Sequence, residues 1–247
     1  MSEMYYRVEH LNEEDGRLRI PADPIIALRQ YDTPTICNAL ELTDSLRHHY
    51  GYTKHNMVTV NQNQSPIVGI AYTATMRSMY PAPIQGDEMK TERMKYYEYM
   101  FTDENIPKIC VMQDLDGVDA GHGPFFGEFN TRVHRAMGFN AIITDGTVRD
   151  VPNLPDDVFI LCGGFRPSHG FVHVVSWGGQ VNVSGMTVSP GDVVHADIHG
   201  AVAFPASWAE RVAENAERFV ASETPIMQAC KTDRLTLEKL RRLYLSR

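Results

Sequence analysis

MGFNAIITDGTVRD, residues Met137 to Asp150, is the stretch on which the fold turns. A helix-like segment ends at Met137-Gly138, and Ala141-Ile142-Ile143 follows as the short apolar run that a buried strand requires. Gly146 is expected to supply the turn that ends this strand. Helix, buried strand and glycine turn make the repeating unit of an α/β protein, in which ligands collect where the strands end. Beyond the turn stand Arg149 and Asp150, a permanent cation beside a carboxylate. Such a pair can hold an anionic substrate and a divalent metal together. It can equally form a surface ion pair or cap a following turn.

The same alternation extends outward from this stretch. Ile67 to Met76 reads as a strand, Glu88 to Phe101 as a helix and Lys108 to Gln113 as a second buried strand, whereas Asn56 to Ser65 is polar and loop-like. From Pro21 to Leu42 the residues Ile25, Ile26, Leu28, Ile36, Ala39 and Leu40 keep helical spacing, with Thr33 expected as N-cap and Pro34 opening a second segment. Between Val158 and Phe204 the runs VFILC, FVHVVS, QVNV, DVVHA and AVAF predict a mixed sheet, closed by a helix over Pro205 to Ser222. Thr232 to Arg247 reads as a charged helix whose Leu235, Leu237, Leu240 and Leu243 form one stripe, expected to pack on a neighbouring subunit or on its own chain. The organisation expected is a polar arm over 1–20, an α/β domain over 21–222 and a helical extension over 223–247.

Composition narrows the function classes. With 43% hydrophobic and 22% charged residues in 247, the chain can bury a full core. A formal net charge of -8, with no Lys/Arg cluster interleaved with aromatics, argues against a nucleic-acid partner. No apolar run approaches ~18 residues, so no membrane span is expected. Cys37, Cys110, Cys162 and Cys230 are widely spaced without a CxxC pair, as in a reduced, mostly buried set, and the N-terminus lacks the pattern of a leader. A cytoplasmic protein is expected.

DLDGVDAGHGPFFGEF, Asp114 to Phe129, separates the second buried strand from a helix expected to begin near Phe126. The start of that helix would present unpaired N–H groups and a positive dipole end to an anion. Among the histidines, His169 with His173 and His195 with His199 have the four-residue separation of a helical zinc site. They lie in β-like segments, where that spacing leaves the rings about 13 Å apart, and no HExxH accompanies them. His122, in the glycine loop, is a weaker candidate for a phosphohistidine. No nucleophilic serine elbow, Walker loop or dinucleotide fingerprint occurs.

Taken in order, several pieces of this chain resemble the RraA-like family. They are Asp32-Thr33-Pro34-Thr35-Ile36, Gly69 to Thr75, Gly86-Asp87, Gly127-Glu128, TDGTVRD, Gly178-Gly179, Val188 to Asp192 and Ala196-Asp197-Ile198-His199-Gly200. The resemblance covers roughly Pro24 to Ser222. That family contains pyruvate aldolases acting on 4-hydroxy-4-methyl-2-oxoglutarate, oxaloacetate decarboxylases and regulators of RNase E. It implies a layered β/β/α fold like the swivelling phosphohistidine domains. Two departures stand out: Gly123-Pro124-Phe125-Phe126 replaces the small apolar residues and Trp common before the Gly-Glu, and His199 stands where Asp is common.

By this resemblance the chain is a lyase that collects the electrons of the broken bond in a pyruvate enolate. Asp150 anchors Mg²⁺ or Mn²⁺, directly or through water, and Arg149 pairs with the developing oxyanion. Backbone amides within Gly123 to Glu128, including Phe126 and Gly127, grip the substrate carboxylate. A further carboxylate, Glu217 or Glu223, is implied to come from an adjoining protomer of a homotrimer or homohexamer. No lysine stands in TDGTVRD or between it and Gly163, which argues against a Schiff base. The alternatives are another metal-dependent lyase or dehydratase on a larger 2-oxo acid, suggested by Phe125-Phe126 and the Tyr96-Tyr97-Tyr99 helix, and a non-catalytic regulator.

Overall fold

Four parallel strands form the centre of the sheet: β2 (Ile67–Arg77), β3 (Lys108–Asp114), β4 (Phe139–Val148) and β5 (Phe159–Phe165). The computed structural model describes residues 22–60, 65–102, 106–232 and 235–246. The arm expected over Met1–Arg19 lies outside them. Antiparallel strands flank the centre: β1 (Val58–Thr59) beside β5, and β9 (Val193–Asp197) with β10 (Gly200–Phe204) beside the first half of β2. β6 (His173–Trp177) pairs with the second half of β2, completing an eight-stranded sheet. β7 (Val181–Val183) and β8 (Met186–Val188) form a separate hairpin.

The helices are α1 (Ala22–Ala27), α2 (Thr33–Thr43), α3 (Asp87–Met100), α4 (Glu128–Ala136), α5 (Ala209–Thr232) and α6 (Leu237–Leu245). Strand alternation sorts the core into two layers. Tyr72, Cys110, Met112 and Ile142 join a cluster with Leu40, Tyr96 and Val212 of the helices. Their neighbours Ala71, Ile109, Val111, Ala141 and Ile143 pack with Val181, Val183, Met186 and Val188 of the hairpin. Helices thus cover one face and the hairpin the other, which is why the parallel strands are apolar on both faces.

Several expectations need correction. The N-cap of α2 is Asp32, whose carboxylate accepts from Thr35 N–H at 2.9 Å; Thr33 N–H is drawn instead to Asp197 Oδ2 at 2.8 Å. Gly146 does not end β4, which continues to Val148. The register with β5 slips between Thr144 and Thr147, so Asp145 and Gly146 form a bulge opposite Gly163. The helix closing the sheet does not stop at Ser222 but runs through Pro225 to Thr232, so it is continuous across 222/223. α6 buries none of its own residues. No helix of the described residues is long and apolar enough to cross a membrane.

Candidate active site

The bulge in β4 carries the chain past the helix-bearing connection from β3, and there two segments meet. Phe126 and Val148 form an isolated parallel bridge, with Arg149 N–H donating to the Phe126 carbonyl at 3.0 Å. α4 therefore begins at Glu128, two residues later than expected, because Phe126 is held in strand-like pairing. Asp150 then turns the chain with φ 56°, a left-handed conformation that Asp tolerates better than most residues. Its carbonyl accepts from Asn153 N–H at 2.8 Å to close a single 3-10 turn.

This turn swings the Asp150 carboxylate back over the start of α4. Oδ2 accepts from Glu128 N–H at 3.2 Å and lies 3.3 Å from Arg149 Nε. Asp150 thus serves as the cap of α4 that the N-cap residue, Gly127, has no side chain to provide. Gly127 is required by space: a Cβ there would lie 2.5 Å from Asp150 Oδ2 and 2.8 Å from Arg149 Cγ. Glu128 turns its carboxylate to Arg132 Nε at 2.9 Å. The Arg149 and Asp150 side chains stay 37% and 36% exposed, open to a ligand from solvent.

Residues that sequence reading missed fix the glycine loop beneath. Gly123 N–H donates to Ser78 Oγ at 2.9 Å, and Asp116 Oδ2 accepts from the N–H groups of Ser78 and Met79 at 2.6 and 2.9 Å. Burial works to raise the Asp116 carboxyl, but these bonds and Arg77 together hold it below the usual range. Gly121 N–H donates to Asp114 Oδ2 at 2.7 Å, and Asp114 N–H to Asp145 Oδ1 at 2.7 Å. Burial, and secondarily the nearby Asp114 charge, lifts Asp145 to about 6. The Asp114 carboxylate binds within its own segment, to the N–H groups of Asp116 and Gly121, whereas Asp116 reaches back to Ser78 and Met79 after β2, which nothing local marks.

Phe126, Gly127, Glu128, Arg149 and Asp150 are therefore gathered at the end of β4, whereas Gly123 is held by Ser78 just past the end of β2 and beside His169. The rings of Phe125 and Phe126 point into the core, 2% and 0% exposed, so neither widens the site. Glu217 and Glu223 lie on α5, which packs against α1 and α2, and the Glu217 charge is felt by Tyr31. His195 is buried against Thr33 and Leu28, whereas His199 approaches Asp197 Oδ1 at 3.0 Å. His169 and His173 each direct Nδ1–H to a backbone carbonyl, and His122 is exposed beside Gly170. Among the described residues no three His, Cys, Asp or Glu converge as a metal cage. Asp150 offers one part-exposed carboxylate, Oδ2 of which is engaged by Glu128 N–H and Arg149, an oxygen donor of the kind that Mg²⁺ or Mn²⁺ takes together with water. A cavity of about 290 Å³ between α3 and β6 is lined by Arg93, His173 and Trp177 and by none of the gathered residues.

Comparison with known proteins agrees with this architecture. The RraA-like family (Aldolase/RraA) matches residues 33–203. Similar solved structures include RraAS2 of Streptomyces coelicolor, described as an unusual member of the RNase ES inhibitor RraA protein family. It superposes with TM-score 0.65 at 20% identity, over 83% of this chain and 95% of that one. An uncharacterized protein of Pseudomonas syringae pv. tomato gives 0.69 at 18% identity, over 92% and 95%. A protein described among cellulases of gut-associated microbes gives 0.70 at 16%, over 88% and 90%. At these identities the likeness is one of fold.

Proposed function

The chain belongs to the RraA-like family, and on that premise we propose that it is a divalent-metal-dependent carbon–carbon lyase acting on 2-oxo acids. The reactions are retro-aldol cleavage of a 4-hydroxy-4-methyl-2-oxoglutarate-type substrate, decarboxylation of oxaloacetate, or both. The observation that carries this reading is the Asp150 carboxylate, 3.3 Å from Arg149 Nε and 3.2 Å from Glu128 N at the start of α4. One small space thus combines a guanidinium, a carboxylate and the positive end of a helix.

In either reaction the C3–C4 bond breaks and its electron pair moves into C2–C3, so negative charge gathers on the 2-oxygen as a pyruvate enolate. Arg149 meets that charge with a permanently protonated, planar fork of donors. The substrate C1 carboxylate is drawn to the dipole at the head of α4, within Gly123 to Glu128, where Gly123 and Glu128 N–H already donate to Ser78 and Asp150 and Gly127 N–H is left to meet it. Asp150 is the residue to hold Mg²⁺ or Mn²⁺, and the ion, when bound, polarises the 2-oxo group as a Lewis acid. A Schiff base finds no support: Lys108, the buried lysine among the described residues, is at the N-terminal end of β3, bonded to Thr102. In the retro-aldol the C4 hydroxyl proton passes to Glu217 or Glu223 of a neighbouring protomer in a homotrimer or homohexamer, which returns it to C3 of the enolate; in decarboxylation carbon dioxide leaves and C3 takes its proton from water. The exposed Leu237 and Leu245 of α6 fit a chain that assembles.

The test is pyruvate release from oxaloacetate and from 4-hydroxy-4-methyl-2-oxoglutarate, with Mg²⁺, with EDTA and with Asp150→Ala. Metal-dependent release that vanishes in the variant is expected. A folded, oligomeric protein that yields no pyruvate from either compound would sink the lyase reading in favour of the family's regulator role.

A further inference from the structure

Arg93, Tyr96 and Tyr97 occupy one face of α3, and all three are turned on the segment that leads into α4. The Tyr97 hydroxyl donates to Asn130 Oδ1 at 2.9 Å, and Asn130 Nδ2 donates to the Phe125 carbonyl at 2.7 Å. One turn further, His134 Nδ1 and the Asn130 carbonyl are 2.7 Å apart, and His134 Nε2 is 2.6 Å from the Tyr96 hydroxyl. A carbonyl can only accept, so Nδ1 carries the proton and Nε2 accepts from Tyr96. The Arg93 guanidinium closes the set, 4.7 Å from the Phe125 ring centroid.

A core that needed only packing would fill this space with apolar side chains, because hydrogen bonds do little more than offset the desolvation of an imidazole and phenols. What the polar set can do, and apolar contacts cannot, is direct a backbone carbonyl. A carbonyl and the N–H of the next residue lie in one rigid trans unit and point opposite ways. Asn130 holding the Phe125 carbonyl therefore turns Phe126 N–H toward β4, where Phe126 is bridged to Val148, and Arg149 N–H holding the Phe126 carbonyl aims Gly127 N–H the other way. Asp150 holds Glu128 N–H itself. Three successive peptide units are fixed, and the first depends on Asn130.

We propose that Asn130 is a positioning residue for the carboxylate grip of residues 123–128, backed from α3 by Tyr97. This rests on the 2-oxo acid reading of the site. Asn130→Asp and Asn130→Ala both remove the amide donor. The Asp variant keeps the size, the acceptor for Tyr97 and a charge suited to a first helical turn. Tyr97→Phe leaves the Phe125 bond in place and is the milder control. Each is to be compared with the wild type in thermal melts, in KM and kcat for pyruvate release, and in Kd for oxalate with Mg²⁺, oxalate being a planar mimic of the enolate. In both Asn130 variants KM and the oxalate Kd are expected to rise about fivefold to tenfold, the weight of one hydrogen bond, with a smaller change in kcat. Tyr97→Phe should give a smaller rise in the same direction. A merely structural role would lower the melting temperature and leave KM and Kd unmoved, and that result in folded variants overturns the proposal while the lyase reading stands. A wild type that neither binds oxalate nor releases pyruvate overturns both.

Discussion

Asp150 does two jobs that one substitution can separate. Its left-handed φ of 56° and its bond to Glu128 N–H are structural, while on the proposed reading its charge is what a metal needs. Asn suits the left-handed region about as well as Asp and still offers an oxygen to Glu128, so Asp150→Asn should leave the urea midpoint nearly unchanged. Asp150→Ala, which loses the cap, should cost about 1 kcal/mol. Pyruvate release should fall at least about 100-fold in both; an active Asp150→Asn would show that the charge is dispensable and that the metal assignment is wrong. The adjacency of Arg149 and Asp150 could be read from sequence because the two follow an apolar run. Their setting could not: Glu128 is 22 residues away, Ser78 lies 38 from Asp116, and Asn130 sits in a helix turn with no pattern to single it out.

The head of α4 owes its shape to a glycine whose role is not conformational. Ser at an N-cap is worth about 1 kcal/mol over Ala but only a few tenths over Gly. At Gly127 the new Cβ would fall 2.5 Å from Asp150 Oδ2, so it must displace the carboxylate. Gly127→Ser should therefore lower the unfolding free energy by about 1 kcal/mol, the crowding outweighing a small cap gain, and lower pyruvate release at least about tenfold. Retained activity would mean that the observed seat of Asp150 is unimportant. Element boundaries escaped the sequence for related reasons. Gly146 looked like a turn, but it serves a bulge where a Cβ would come 2.4 Å from Met76 Cε. Pro225 argues against a helix, yet α5 passes through it, with the Thr224 and Ser222 hydroxyls donating to the carbonyls of Val220 and Phe219, each at 2.7 Å.

The α/β alternation was readable because apolar periodicity reports which residues must leave water; which polar residues follow them inside depends on the assembled layers. His134 and His195 are both fully buried, one tying α4 to α3 and the other pinning the start of α2 to β9. Burial pulls each down to about 4 from 6.5. A histidine pKa depressed in the fold gives stability that is fully present above the unfolded value and is lost as pH falls toward the folded one. Each ring should thus cost ~3 kcal/mol by the time pH reaches about 4. Asp145 works the other way. Lifted to about 6 from 3.8, its carboxyl favours the fold only when protonated, so acidification regains up to about 3 kcal/mol. Asp114 and Asp192, also raised by burial, act in the same sense as Asp145, and Asp116, held low, acts with the rings; the two rings carry the larger shifts, so unfolding free energy measured by denaturant should fall between pH 7 and pH 4. Asp145→Asn removes one opposing group: the variant should be the more stable protein at pH 7 and lose its advantage by pH 4, giving a steeper decline than the wild type. A wild-type stability that stays level or rises down to pH 4 would mean that the buried imidazoles accept protons without opening the layers they join, contrary to their burial and hydrogen bonding.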